Sequence, residues 1–174
     1  MHCKKAMVAQ RGFSLLEVLI ATAVVAAALA ALVQLVILAT AANARAKTTT
    51  MATVLAAQKM EQLRSLEWSF DRFEGPLSDP RLVASPSDSL RKNSAGFCDF
   101  VDRNGQSLGE RTDPPARAVY VRRWSIEPLP ADPGNVLVLQ VLVTQRFTRA
   151  VGEHANRRLP DEARIISIKA RKAL

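Results

Sequence analysis

The sequence predicts an α+β protein: a long N-terminal helix, membrane-spanning in its first half and amphipathic in its second, packed on a C-terminal antiparallel sheet of about three to four strands. Three observations carry this. Residues 18–44 form a run of 27 without a charge. Apolar residues then recur at helical spacing over 52–66. After residue 117 come three runs of strand composition separated by turn residues. A helix followed by a cluster of strands places the helix on one face of an antiparallel sheet.

The chain has 174 residues, enough for one modest domain and an extension. Net charge is +8, but the basic residues are scattered and aromatics make up only 5%. That pattern reads as a solvated basic surface before it reads as a nucleic-acid site. The cysteines, Cys3 and Cys98, form no CxxC pair, and His2 and His154 lie near no motif. No metal or cofactor is expected. No G-x-S-x-G, H-E-x-x-H, Walker A or G-x-G-x-x-G occurs, so no enzyme is expected and no catalytic residue is assigned.

Residues 1–12 form a basic leader with Lys4, Lys5 and Arg11 and no acid. Such a leader stays in the cytoplasm under the positive-inside rule, and the bulk of the chain is exported. The uncharged run is about 40 Å long as a helix, enough to span a bilayer. It exceeds the hydrophobic region of an ordinary secretory signal. Glu17 stands at its head. A carboxylate deep in lipid costs roughly 2.5–3.5 kcal/mol, and less near the interface. Glu17 is therefore either an interfacial acid that reaches the headgroups or one half of an ion pair formed when helices pack.

The stretch from Gly12 through Phe13, Ser14, Leu15, Leu16, Glu17, Val18, Leu19 and Ile20 to Ala21 resembles the cleavage and methylation motif of type IV pilins and type II secretion pseudopilins. The resemblance covers Lys4 to about Ala42. It implies a prepilin peptidase that cuts between Gly12 and Phe13 on the cytoplasmic side, and N-methylation of Phe13. It also implies that Glu17 neutralises the terminal amine of a neighbouring subunit during assembly, which makes two costly charges into one pair. Glycine at position 12 suits a protease that needs close backbone approach. Cleavage removes three cations and takes the charge to about +5. It also removes Cys3, so no intramolecular disulfide is available, unlike many major pilins. No proline occurs from Phe13 to Leu66, where many major pilins carry one. Both departures point to a minor subunit, and "VLAAQKMEQLRSL" is similar to the corresponding stretch of PilV-like and pseudopilin-I-like subunits. The implied location is the inner membrane of a diderm bacterium, N-terminus cytoplasmic and C-terminal domain periplasmic, and then a pilus or pseudopilus. The implied partners are prepilin peptidase, other pilin or pseudopilin subunits and inner-membrane lipid.

Residues 13–42 thus read as the membrane and assembly helix and 43–67 as its amphipathic continuation. Ala52, Leu55, Ala56, Met60, Leu63 and Leu66 fall within an arc of about 140°. Lys59 sits on this stripe and is expected to snorkel. The β-branched Thr48, Thr49 and Thr50 favour a local irregularity. Residues 68–116 read as an irregular Pro/Ser-rich segment with a short hairpin, a strand at 97–101 and a turn at Asn104-Gly105. Asp99 and Asp102 lack the spacing of a calcium loop. Residues 117–174 read as the sheet. Its first strand slips phase at Arg122-Arg123, its second ("VLVLQVLVTQRF") is central, and "RIISIKARK" is its last. Two alternatives remain open. One is a pilin-like subunit that captures DNA with Arg111, Arg117, Arg122, Arg123, Arg157 and Arg158. The other is a single-pass anchored domain that is never cut.

Overall fold

The structure, a computed structural model, describes residues 12–70, 73, 75–146 and 162–172. The leader cations, Cys3, His2, His154, Arg157 and Arg158 lie outside the described residues. The chain divides into two compact units, Met1–Ala44 and Arg45–Leu174.

One helix, α1, runs Leu15–Ser65. The Ser14 carbonyl accepts the N–H groups of Glu17 and Val18, which closes the first turn. Glu17 lies in that turn, where a negative charge complements the helix dipole. The helix passes through Thr48–Thr50 without the irregularity expected there. The Thr49 and Thr50 hydroxyls donate to the carbonyls of Arg45 and Ala46, and Thr53 donates to Thr49. Each hydroxyl thereby finds a partner on the preceding turn without unwinding the backbone. The C-terminal end is capped from outside the helix: Lys169 Nζ donates to the Arg64 carbonyl at 2.6 Å, meeting one orphan acceptor with a cation at the negative pole.

The second unit holds two sheets. A small one pairs β1 (Trp68–Phe70) with β2 (Pro76–Ser78). The larger contains β3 (Cys98–Val101), β4 (Ser107–Glu110), β5 (Tyr120–Pro128), β6 (Val136–Gln145) and β7 (Ala163–Ala170). It is antiparallel throughout, with order β4-β3-β5-β6-β7. The sheet therefore has five strands where three to four were expected, because the short hairpin at 98–110 joins its edge. β6 is an interior strand, as expected, paired with β5 on one side and β7 on the other.

Alternation sorts each strand's residues between the faces. Leu137, Leu139, Val141 and Val143 of β6 share a face with Trp124 and Ile126 of β5 and pack with Ala52, Leu55, Ala56, Met60 and Leu63 of α1. The helical stripe is thus buried as its spacing implies, while Leu66 is only half-buried. On the opposite face Phe100, Val121 and Ala118 form a second small cluster.

The turn between β3 and β4 falls at Asn104-Gly105 as expected. Gly105 adopts φ +83°, and a Cβ there would stand 3.0 Å from Met51 Cε. Asp102 Oδ1 accepts the N–H groups of Asn104 and Gln106, so this carboxylate organises the turn. The segment after β2 extends the sheet edge: Ser85 N–H donates to the Ile126 carbonyl, and the Ser85 hydroxyl accepts from Ile126 N–H. Its first bend is held by Asp79, which accepts from the Arg81 side chain at 3.0 and 2.8 Å and from Arg81 N–H at 2.9 Å. These bonds hold the Asp79 carboxyl at about 2. A pKa depressed on folding contributes stability that is present above the unfolded value of 3.8 and lost as pH falls through about 2. Asp79→Asn should therefore melt below the parent at neutral pH, with the gap closing as pH falls toward about 2 in paired thermal melts.

Candidate functional site

Gly12, Phe13 and Ser14 precede the first turn of α1, and Phe13 is 83% exposed. From Phe13 to Leu38 the large apolar side chains of this unit are exposed, with Leu15 and Leu38 among the most open. Water would penalise that surface by roughly 25 cal/mol per Å². The helix is long and apolar enough to cross a membrane. Along one face, Phe13, Glu17, Ala21 and Val25, four residues apart, line a shallow groove with Val18, Thr22, Ala26 and Leu29. Glu17 is the one acid in that groove. The sequence-predicted residues thus lie together: Gly12 and Phe13 at the head of α1, and Glu17 one turn further on the same face as Phe13. The Thr22 and Thr40 hydroxyls donate to the Leu19 and Ile37 carbonyls, so neither presents an unpaired donor to an apolar surrounding.

The second unit holds a charge cluster that the sequence reading missed. Arg122 makes a two-pronged bond to Asp99, Nε to Oδ1 at 2.8 Å and Nη2 to Oδ2 at 2.6 Å, and Nη1 reaches Gln58 Oε1 at 3.3 Å. Lys59 Nζ lies 4.0 Å from Asp99 and 3.7 Å from Glu110. It also sits 3.5 Å from the centre of the Trp124 ring. Lys59 was expected to snorkel. It is buried instead, because two carboxylates and an aromatic face replace water around it. Burial pushes its ammonium pKa down, and Asp99 and Glu110 oppose the shift. The polar atoms of this cluster point at one another across the helix–sheet junction, and its effect is to fix α1 against β3 and β5.

Nor does β5 slip phase at Arg122-Arg123: its register with β6 is continuous. Arg122 faces the helix. Arg123 faces the other side, donating to Asn93 Oδ1 at 2.9 Å and to Thr144 Oγ1 at 3.3 Å. Both are buried, so neither serves a DNA-contacting patch, whereas Arg111 and Arg117 are exposed. Cys98 is buried as a free thiol, donates to the Arg111 carbonyl at 3.1 Å, and has its pKa raised by burial. Among the described residues no group of His, Cys, Asp or Glu could hold a metal.

A second cluster closes the far end of the sheet. The Arg171 guanidinium lies 3.6 Å from the Trp68 ring centre and donates to the carbonyls of Ser69 and Gly134. It ties β1 to the β5–β6 turn. The adjacent "ARK" gave no sign of this, since its partners are 37 and 102 residues away.

Residues 7–33 match the prokaryotic N-terminal methylation motif. No curated protein and no solved structure matches the chain. The motif implies processing by a prepilin peptidase and assembly with pilin subunits, and it points to a structural subunit. Over residues 7–33, which take in the start of a helix apolar enough to anchor the chain in a membrane, the chain carries the signature of type IV pilins and pseudopilins.

Proposed function

We propose that the chain is a minor pilin or pseudopilin. Prepilin peptidase hydrolyses the Gly12–Phe13 bond on the cytoplasmic side of the inner membrane, leaving a carboxylate on Gly12 and an ammonium on Phe13, which is then N-methylated. The trimmed subunit spans the membrane with residues 13–42 and holds its sheet in the periplasm. It is then drawn into a type IV pilus or type II secretion pseudopilus. The methylation motif at 7–33 carries this reading. The proline-free helix and the single cysteine of the mature chain favour a minor subunit.

In this reading Glu17 accepts the Phe13 ammonium of a neighbouring subunit. A wrongly docked neighbour leaves both charges unpaired in lipid, each at a cost of a few kcal/mol. Glu17→Leu is therefore expected to leave cleavage intact and to lower recovery in sheared filaments at least tenfold, with membrane-held subunit rising in its place. Quantitative immunoblots of sheared and membrane fractions make the measurement. Parental recovery of the variant in filaments would remove Glu17 from assembly.

A further inference from the structure

The larger sheet has two edges, and they are built differently. β4 is four residues long, its pairing with β3 shifts register between Asp99 and Val101, and Gly109 within it adopts φ +92°. A short, broken edge of that kind resists further pairing. β7 is eight residues long, contains no proline, and pairs with β6 at every step from Ala163 opposite Val143 to Ala170 opposite Val136. Among the described residues its outer edge is covered only beyond its end, where Lys172 N–H donates to the Trp68 carbonyl. Ile166 and Ile168 on this strand are 59% and 64% exposed. Half-buried Val138 lies opposite Ile168 and half-buried Leu142 opposite Arg164, on the same face.

Cations on an edge strand commonly block pairing. Here their head groups are held against the chain itself. Lys169 is bound to the Arg64 carbonyl, Arg164 to Gln140, and Arg171 to Ser69 and Gly134. What remains is a regular strand edge with two open isoleucines and a positive field, for residues 163–172 contain Arg164, Lys169, Arg171 and Lys172 and no acid. A second copy would bring two edges of like charge together. The connection 146–162 carries four arginines against Glu153, Asp161 and Glu162, so its charge is net positive as well.

We propose that the β7 edge receives, as an added antiparallel or parallel strand, an extended segment of a partner protein in which β-branched residues alternate with Asp or Glu. Main-chain bonds to β7 supply the affinity, and the apolar residues lie beside Ile166 and Ile168. The carboxylates lie on the other face, where they answer Lys169. Eight residues in this conformation span about 26 Å. The inference concerns the second unit alone and holds whether or not the chain is cleaved or built into a filament.

The test uses the full chain in neutral-lipid nanodiscs and an eight-residue peptide of alternating valine and glutamate, with a valine–lysine peptide as its counterpart. Fluorescence anisotropy reads binding, and amide hydrogen exchange reads β7. The glutamate peptide is expected to bind and to slow those β7 amides that exchange in the free chain. Ile166→Asn and Ile168→Asn, both at exposed positions, are each expected to weaken binding at least tenfold. The proposal is overturned if the β7 edge is already protected without peptide, if the glutamate peptide leaves it unprotected, or if both peptides bind alike. It is also overturned if phosphatidylglycerol vesicles displace the peptide without protecting β7, which would assign the basic edge to lipid.

Discussion

Replacing Asp99 with alanine is expected to lower the stability of the second unit by about 3–5 kcal/mol, since it strips a buried Arg122 of its two-pronged partner. The loss reaches Lys59 as well, which keeps the exposed Glu110 and the Trp124 ring but loses its buried carboxylate partner. Urea titration of the full chain in detergent, followed by tryptophan fluorescence, reads the change because Trp68 and Trp124 both lie in this unit. The paired replacement Asp99→Leu with Arg122→Met removes both charges together. It should recover most of the loss, because a buried ion pair exchanged for apolar groups of similar size is often neutral. Equal destabilisation by the single and paired variants would mean that shape, and not uncompensated charge, sets the cost.

Trp124→Ala is expected to cost about 3–5 kcal/mol, the usual range for emptying a large aromatic site in a core. Trp124 is 3% exposed, packs with the α1 stripe and the β6 face, and lies beneath the Lys59 ammonium. Its removal opens a cavity and withdraws the ring that helps to keep Lys59 out of water. Trp124→Phe keeps an aromatic face in place and should cost less than half as much in the same titration. A phenylalanine variant as unstable as the alanine one would show that the indole's full volume, and not the ring beneath Lys59, holds the junction together.

The parts legible in the sequence are those set by local pattern. The uncharged run gave α1 its first half. The recurrence of Ala52, Leu55, Ala56, Met60 and Leu63 gave the buried face of its second half. Asn104-Gly105 gave the turn, and the β-branched runs gave β5, β6 and β7. The motif from Gly12 to Glu17 is equally local and lies within the matched residues 7–33. What escaped depends on residues distant in the chain. Arg122 meets Asp99 23 residues away and Gln58 64 residues away, so its position in a strand looked like a break in alternation when it is a buried pair. Lys59 looked able to reach water because nothing near it in sequence shows Trp124 beneath it. The short strand at 98–101 joins the main sheet through its pairing with Tyr120–Arg123, a long-range register that composition does not carry. Ser85 completes the edge of β5 from within a segment whose Pro and Ser content reads only as loop.

The account rests on one bond, Gly12–Phe13. The direct test is to co-express the full chain with an active prepilin peptidase and to determine its N-terminus by intact mass and terminal peptide sequencing, with a known substrate processed alongside. The expected product begins at Phe13 and carries one methyl group on its amine. A chain that keeps its leader from Met1 while the control substrate is cut would contradict the account. It would leave a single-pass anchored domain, with Glu17 an acid at the membrane edge.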